Sequence, residues 1–240
     1  MTSNKKILIL GCSVALRVRP PASDHSKNKN YGQIIEDALN QRRNDEFWSV
    51  INRASTRAVT RDVIKEKDEI GRVNPEYVIL NVGAVDAPNR DIPLWFSDIL
   101  HRKRGFMFYR LLNALNHYVI KKSLRRTLVV LRGRRSWTKK SQFKKDVVDL
   151  IRCVQRDSRS KLIVLGVNAG NQRIERQLPG TMEKYSEYNQ ILSSIVQNEG
   201  GDFVEVSDLT DDYFPDGVHY NLEGHQIIAK RLLNEISEFT

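Results

Sequence analysis

The chain of 240 residues is long enough for one domain, or for a domain carrying an insertion, and it can bury a core without disulfide help. Its 40% hydrophobic and 28% charged residues exclude a disordered chain, and two cysteines, Cys12 and Cys153, form no disulfide framework and favour a reducing compartment. The net charge of +10 is unevenly spread: from Arg90 to Lys145 sixteen Lys/Arg stand against Asp91 and Asp98, a local +14 beside a slightly acidic remainder.

Lys5-Lys6, the apolar Ile7–Leu10 and Gly11-Cys12 superficially resemble a lipoprotein leader. A secretory signal needs an apolar core of roughly 7–15 residues, so four are better used as a buried first strand, Lys6–Leu10. A polar, turn-rich loop from Pro20-Pro21 to Asn30 follows. Then come a helical pattern at Tyr31–Arg42, a strand at Trp48–Ile51, a helix at Thr60–Ile70 and a strand at Tyr77–Val82. Residues 87–141 break the rhythm as a basic insertion. Within it Phe106–Leu124 has a helical apolar face, and Thr127–Leu131 reads as a short strand or as more helix. The alternation resumes with helix Phe143–Arg156, strand Leu162–Val167, helix Met182–Gln197, strand Phe203–Val206 and helix Leu222–Ile236. Strands and helices alternating in this way predict an α/β fold with a mostly parallel sheet. No apolar run approaches the ~20 residues that span a membrane, so the expectation is a soluble, cytoplasmic protein.

Ligands of such sheets bind at the carboxyl ends of strands, which directs attention to two segments. Gly11-Cys12-Ser13-Val14-Ala15 follows the first strand, and a serine there lies beside backbone N–H groups that suit a nucleophile; a plain strand-ending turn is the bland alternative. Phe214-Pro215-Asp216-Gly217-Val218-His219-Tyr220-Asn221 precedes the last helix. A carboxylate three residues before a histidine can hold one imidazole nitrogen and leave the other for a proton; here the bland account is a helix start capped by Asn221. His225 reads as a helix-surface residue. His25, His101 and His117 show no metal spacing, and no dinucleotide or phosphate-loop motif is present, so neither metal nor cofactor is expected.

Together the two segments resemble the SGNH hydrolases, the GDSL-like esterases and lipases. Tyr31-Gly32 is similar to the helix start of that family. Asn52-Arg53-Ala54-Ser55-Thr56-Arg57 stands where it has Asn-x-Gly-x-x-Gly. Gly83-Ala84-Val85-Asp86 stands where it has Gly-x-Asn-Asp, and Tyr188-Asn189 matches a pair on a late helix. The resemblance implies a three-layer α/β/α, flavodoxin-like fold with five parallel strands, one domain over residues 1–240 with the insertion at 87–141. It implies Ser13 as nucleophile, His219 as general base and Asp216 as its orienting group. The implied oxyanion hole has the backbone N–H groups of Ser13 and Arg57, whereas Val85 replaces the asparagine donor and Cys12 the family's aspartate. Arg57 or Asn81 would be the side chains to compensate, and Cys12 is expected to be a small buried residue.

The function so implied is a serine esterase or acyltransferase acting through an acyl-serine on an ester-bearing carbohydrate, lipid or carrier-bound substrate. The alternative is a catalytically impaired scaffold of the same fold that binds an anionic partner (acyl carrier, glycan or phospholipid surface) through the basic insertion. Nucleic acid is disfavoured as partner, since the insertion contains no known binding module and few aromatics between its charges.

Overall fold

Ile7, Leu8, Ile9 and Leu10 are all fully buried, each worth about 1.5–3 kcal/mol of burial, because β1 (Ser3–Gly11) is an inner strand of a five-stranded sheet. The computed structural model describes residues 3–21, 23, 28–42, 46–102 and 124–237. The sheet order is β2 (Glu46–Asn52), β1, β3 (Tyr77–Asn81), β4 (Lys161–Leu165), β5 (Asp202–Val204), and every pairing is parallel. The register sets Ile7 opposite Val50 on one side and Tyr77 on the other, and Gly11 opposite Asn81. All five residues of β3 are buried, as expected for a parallel strand covered on both faces.

The connections explain the layers. From β1 through α1 (Tyr31–Arg42) the chain moves one way along the sheet to β2. Through α2 (Thr60–Val63) and α3 (Asp68–Val73) it returns past β1 to β3. Right-handed crossovers in opposite directions put their helices on opposite faces. Accordingly α1 packs with the last helix, Leu222–Ser237, whereas α2 packs with the long helix Lys140–Asp157, which in turn packs with Thr181–Glu199. Between β3 and Lys140 lie α4 (Leu94–Arg102) and α5 (Arg125–Leu131). We number Lys140–Asp157 α6, the short Gln172–Gln177 α7, Thr181–Glu199 α8 and Leu222–Ser237 α9.

One expectation needs correction. Thr60–Ile70 is not one helix: a 3-10 turn, Ile64–Glu66, separates α2 from α3, because the charged run Lys65–Asp68 offers nothing apolar to hold a full turn on the core. Of the two readings open for Thr127–Leu131, short strand or helix, the structure shows helix, α5. Helix α7 was not foreseen; its signal is Asn171, whose side chain caps it by accepting from the backbone N–H groups of Arg173 and Ile174. The expected helix Phe106–Leu124 lies, apart from Leu124, outside the described residues. No helix among the described residues is long and apolar enough to cross a membrane.

Candidate active site

The strand order reverses between β1 and β3, and the crevice beyond their carboxyl ends is where such sheets bind ligands. Gly11 lets the two ends close, since a Cβ there would collide with the Asn81 carbonyl. Cys12 N donates to that carbonyl at 3.2 Å. Ser13 then opens a single 3-10 turn, Ser13–Ala15, and its own carbonyl accepts from Leu16 N and Arg17 N at 3.1 and 3.2 Å. The backbone of Ser13 is therefore held at the rim of the sheet.

The second segment is held just as firmly. Gly217 N donates to Phe214 O at 2.7 Å, and Gly217 has φ 86°, a region open to glycine. A Cβ at Gly217 would also meet Asn171 Oδ1 at 2.7 Å and Ile174 Cβ at 2.8 Å. Asn171 donates to Phe214 O at 3.0 Å and Asn168 donates to Val218 O at 2.9 Å. The loop after β4 thus cradles the turn that carries Asp216 and His219.

The structure brings the three expected residues together. Ser13 Oγ lies 2.9 Å from His219 Nε2, and His219 Nδ1 lies 2.9 Å from Asp216 Oδ2. Asp216 Oδ1 accepts from Val218 N at 2.9 Å and His219 N at 2.7 Å. Burial alone would raise the Asp216 carboxyl, but the His219 ring and the His219 and Val218 backbone N–H groups outweigh it and hold the group below the usual carboxylate range. An ionised Asp216 can only accept, so Nδ1 carries the hydrogen and Nε2 turns a lone pair to the Ser13 hydroxyl.

The surroundings differ from the expectation in places. Arg57 keeps a glycine-like backbone, φ 64°, at a cost of about 1–2 kcal/mol. Its guanidinium donates to Ser97 Oγ at 2.5 Å, lies 3.9 Å from Asp98 and packs 5.5 Å from the Trp137 ring centroid. Val85 lines the site and offers no side-chain donor; its carbonyl accepts from Arg90 Nη2 at 2.7 Å. Asn81 does not compensate: its Oδ1 faces the Cys12 thiol at 3.6 Å, and it is not part of the cavity wall. Burial pushes that thiol up to about 12, so Cys12 is a neutral core residue. Asp86 accepts from Thr60 N at 3.1 Å, Thr60 Oγ1 at 3.0 Å and Thr138 Oγ1 at 2.7 Å, fastening the loop after β3 to α2 and to the segment before α6.

His225 is not a surface residue but is fully buried. Its Nδ1 accepts from Tyr31 N at 3.2 Å, and its Nε2 donates to Arg17 O at 3.1 Å. Burial pulls its pKa down to about 4. Protonation would place a hydrogen on Nδ1 against the Tyr31 N–H, so the geometry requires the neutral ring. His225 thereby ties the loop that follows Ser13 to the start of α1.

Ser13 and His219 open onto a cavity of about 320 Å³ whose walls include Val85, Arg57, Arg90, Arg125 and Trp137. A more open groove of about 580 Å³ between α8 and the segment after β5 is lined by Met182, Ser186 and Glu205, without a nucleophile–base pair.

By sequence the chain matches no family model and no curated protein. By structure it is similar to the lipase/acylhydrolase from Enterococcus faecalis, with a TM-score of 0.63 at 14% identity over 97% of this chain and 95% of the other. It is similar to the acetylxylan esterase from Geobacillus stearothermophilus, TM-score 0.63 at 17% identity over 98% and 95%. A third likeness is to an α/β hydrolase enzyme from the metagenome of Lake Arreo, Spain, TM-score 0.62 at 16% identity over 98% and 95%. The fold is that of the SGNH hydrolases. Two residues at which the sequence departs from the resemblance, Arg57 and Val85, both line the cavity beside Ser13, and Arg57 takes a left-handed backbone. Neither the cradle of Asn168 and Asn171 nor the strap of His225 had been anticipated from the sequence.

Proposed function

We propose that the protein is a serine esterase or acyltransferase that forms an acyl-Ser13 intermediate. The observation that supports this reading is the unbroken relay from Ser13 Oγ through the His219 ring to Asp216, both links at 2.9 Å, opening on a cavity of small-molecule size. In the reaction His219 Nε2 takes the Ser13 proton as Oγ attacks the ester carbonyl. Asp216 steadies the imidazolium through Nδ1–H, and Nε2 then gives the proton to the departing alcohol. Water or a second alcohol, activated by the same imidazole, releases the acyl group from Ser13. The backbone N–H groups of Ser13 and Arg57 receive the oxyanion. One oxyanion donor is typically worth about 10²–10³ in rate, so the exchange of asparagine for Val85 implies a slow enzyme or one whose substrate supplies the missing contact.

The absence of a donor at Val85 is also what favours the second reading, a catalytically impaired binding protein with an anionic partner at the basic insertion. Incubation with a serine-reactive fluorophosphonate, followed by peptide mass spectrometry, separates the two. The enzyme reading expects a covalent adduct on Ser13 that is lost in Ser13→Ala and His219→Ala. A folded wild-type chain that takes no label would overturn it in favour of the binding protein.

A further inference from the structure

We propose that the cavity beside Ser13 is specific for esters that carry a carboxylate or another small oxyanion, bound by Arg90 with the help of Arg125. This deepens the reading of the site given above and rests on it. Three arginines, Arg57, Arg90 and Arg125, line one cavity of about 320 Å³. Two carboxylates share its walls, Asp91 and Asp216, and both are engaged. Asp216 holds His219, while Asp91 Oδ1 accepts from Ile92 N at 3.1 Å and its Oδ2 lies 3.4 Å from Arg125 Nε. Arg57 is already tied to Ser97 and to Asp98.

Arg90 differs from both neighbours. Its guanidinium lies 3.9 Å from the Trp137 ring centroid, and Trp137 is itself fixed by Nε1 donating to Ile92 O at 2.9 Å. Of its five N–H groups, among the described residues one donates, Nη2 to Val85 O, and its Nε is buried without a partner. No carboxylate among the described residues lies within ion-pair distance of it, and burial pulls its pKa down to about 10, which still leaves it charged at neutral pH. Arg125 Nε is likewise buried without a hydrogen bond, and Arg125 Nη1 donates to Gln177 Oε1 at 2.7 Å.

A desolvated cation without a counter-ion is costly in a structural role. A planar fork held over an indole is pre-organised for the two oxygens of a carboxylate. Since Arg90 also grips the carbonyl of Val85, an anion docked on it lies next to the wall that faces the scissile ester. The cavity volume is near the lower end of the roughly 300–1,000 Å³ usual for ligand sites, which limits the substrate to a small acid ester or one acidic unit of a larger molecule.

The test separates binding from turnover by using calorimetry on the full-length Ser13→Ala chain with benzoate against benzamide and succinate against succinamide. At least one acid should bind about 10-fold or more tightly than its amide, the scale of a hydrogen bond to a charged group. Arg90→Gln in the same background should remove that preference, and Arg90→Lys, which keeps the charge without the fork, should keep part of it. Arg125→Gln should weaken it. Equal binding of both acids and both amides overturns the proposal, and so does a preference that survives Arg90→Gln. Fluorophosphonate labelling of the Ser13 chain is read in parallel. Acid-selective binding without labelling would leave the anion site standing and remove the esterase reading, whereas labelling without acid selectivity would do the reverse.

Discussion

Asp216→Asn is the sharpest perturbation of the relay, because it changes the proton map with little change of shape. Asp216 Oδ1 accepts two backbone N–H groups, at 2.9 and 2.7 Å, and an asparagine oxygen can keep both. The turn should therefore fold, with a stability loss of about 1 kcal/mol for one weakened hydrogen bond. The other atom becomes an NH₂ facing His219 Nδ1, where Oδ2 now sits at 2.9 Å. Two donors cannot share that line, so the ring must shift its hydrogen to Nε2, against Ser13 Oγ. His219 then accepts no proton from Ser13, and the imidazolium loses its counter-charge. A charge-assisted bond is worth about 1.5–3 kcal/mol, and the inverted tautomer brings the loss to about 4–5.5 kcal/mol, or 10³–10⁴ in rate at about 1.36 kcal/mol per decade. The assay is the second-order rate of fluorophosphonate labelling, with hydrolysis of p-nitrophenyl acetate beside it and circular dichroism as the control of folding. A folded Asp216→Asn protein within 10-fold of wild type would refute the reasoning, since His219 would then be oriented by something other than Asp216.

Val85→Asn should raise turnover of small activated esters by supplying an amide donor to the cavity wall beside Ser13, while costing about 1–3 kcal/mol of stability for the buried amide; equal or lower turnover in a folded variant would mean that another group already stabilises the oxyanion or that the amide cannot reach it. At position 57 the backbone conformation can be weighed apart from the side chain: Arg57→Gly should be about 1 kcal/mol more stable to urea than Arg57→Ala, since φ 64° suits only the former, and equal midpoints would contradict this. His225 titrates at about 4 when folded against about 6.5 when unfolded, so below pH 6.5 the unfolded chain binds the extra proton. Its stabilisation is complete above that pH and falls by about 3 kcal/mol as the pH drops to 4. His225→Gln should flatten the acid loss seen in urea titrations at pH 7 and 4.5, and an unchanged slope would count against it. Gly217→Ala should displace His219 and cut labelling by 10-fold or more, because both φ 86° and the contact with Asn171 exclude a Cβ; unaltered labelling would show that the turn can adapt.

The sheet was legible because parallel strands buried on both faces are written as unbroken apolar runs, and Ile7–Leu10 or Tyr77–Leu80 admit few other uses. Ser13, Asp216 and His219 were legible only jointly, through the family resemblance of the two segments that carry them, since each segment alone also reads as a plain turn or a helix start. What sequence did not yield depends on partners far along the chain. The cradle joins Asn168 and Asn171 to Phe214 and Val218 across more than forty residues, and asparagine after a strand looks like any loop residue until the contact is seen. Arg90 was counted as one charge of a basic patch, yet the structure places it in the cavity wall, because Trp137 and the Val85 carbonyl give a guanidinium a place that composition cannot show. At His225 residue type and position disagree. Positions 225, 228, 229, 232 and 236 form one stripe on α9, and all five are buried, so helical periodicity alone marked residue 225 as inward. Its polar residue type points outward while its position points inward. A polar side chain on an apolar stripe is better read as a bond still to be located, here to Tyr31 N and Arg17 O, and that bond is what anchors the loop behind Ser13.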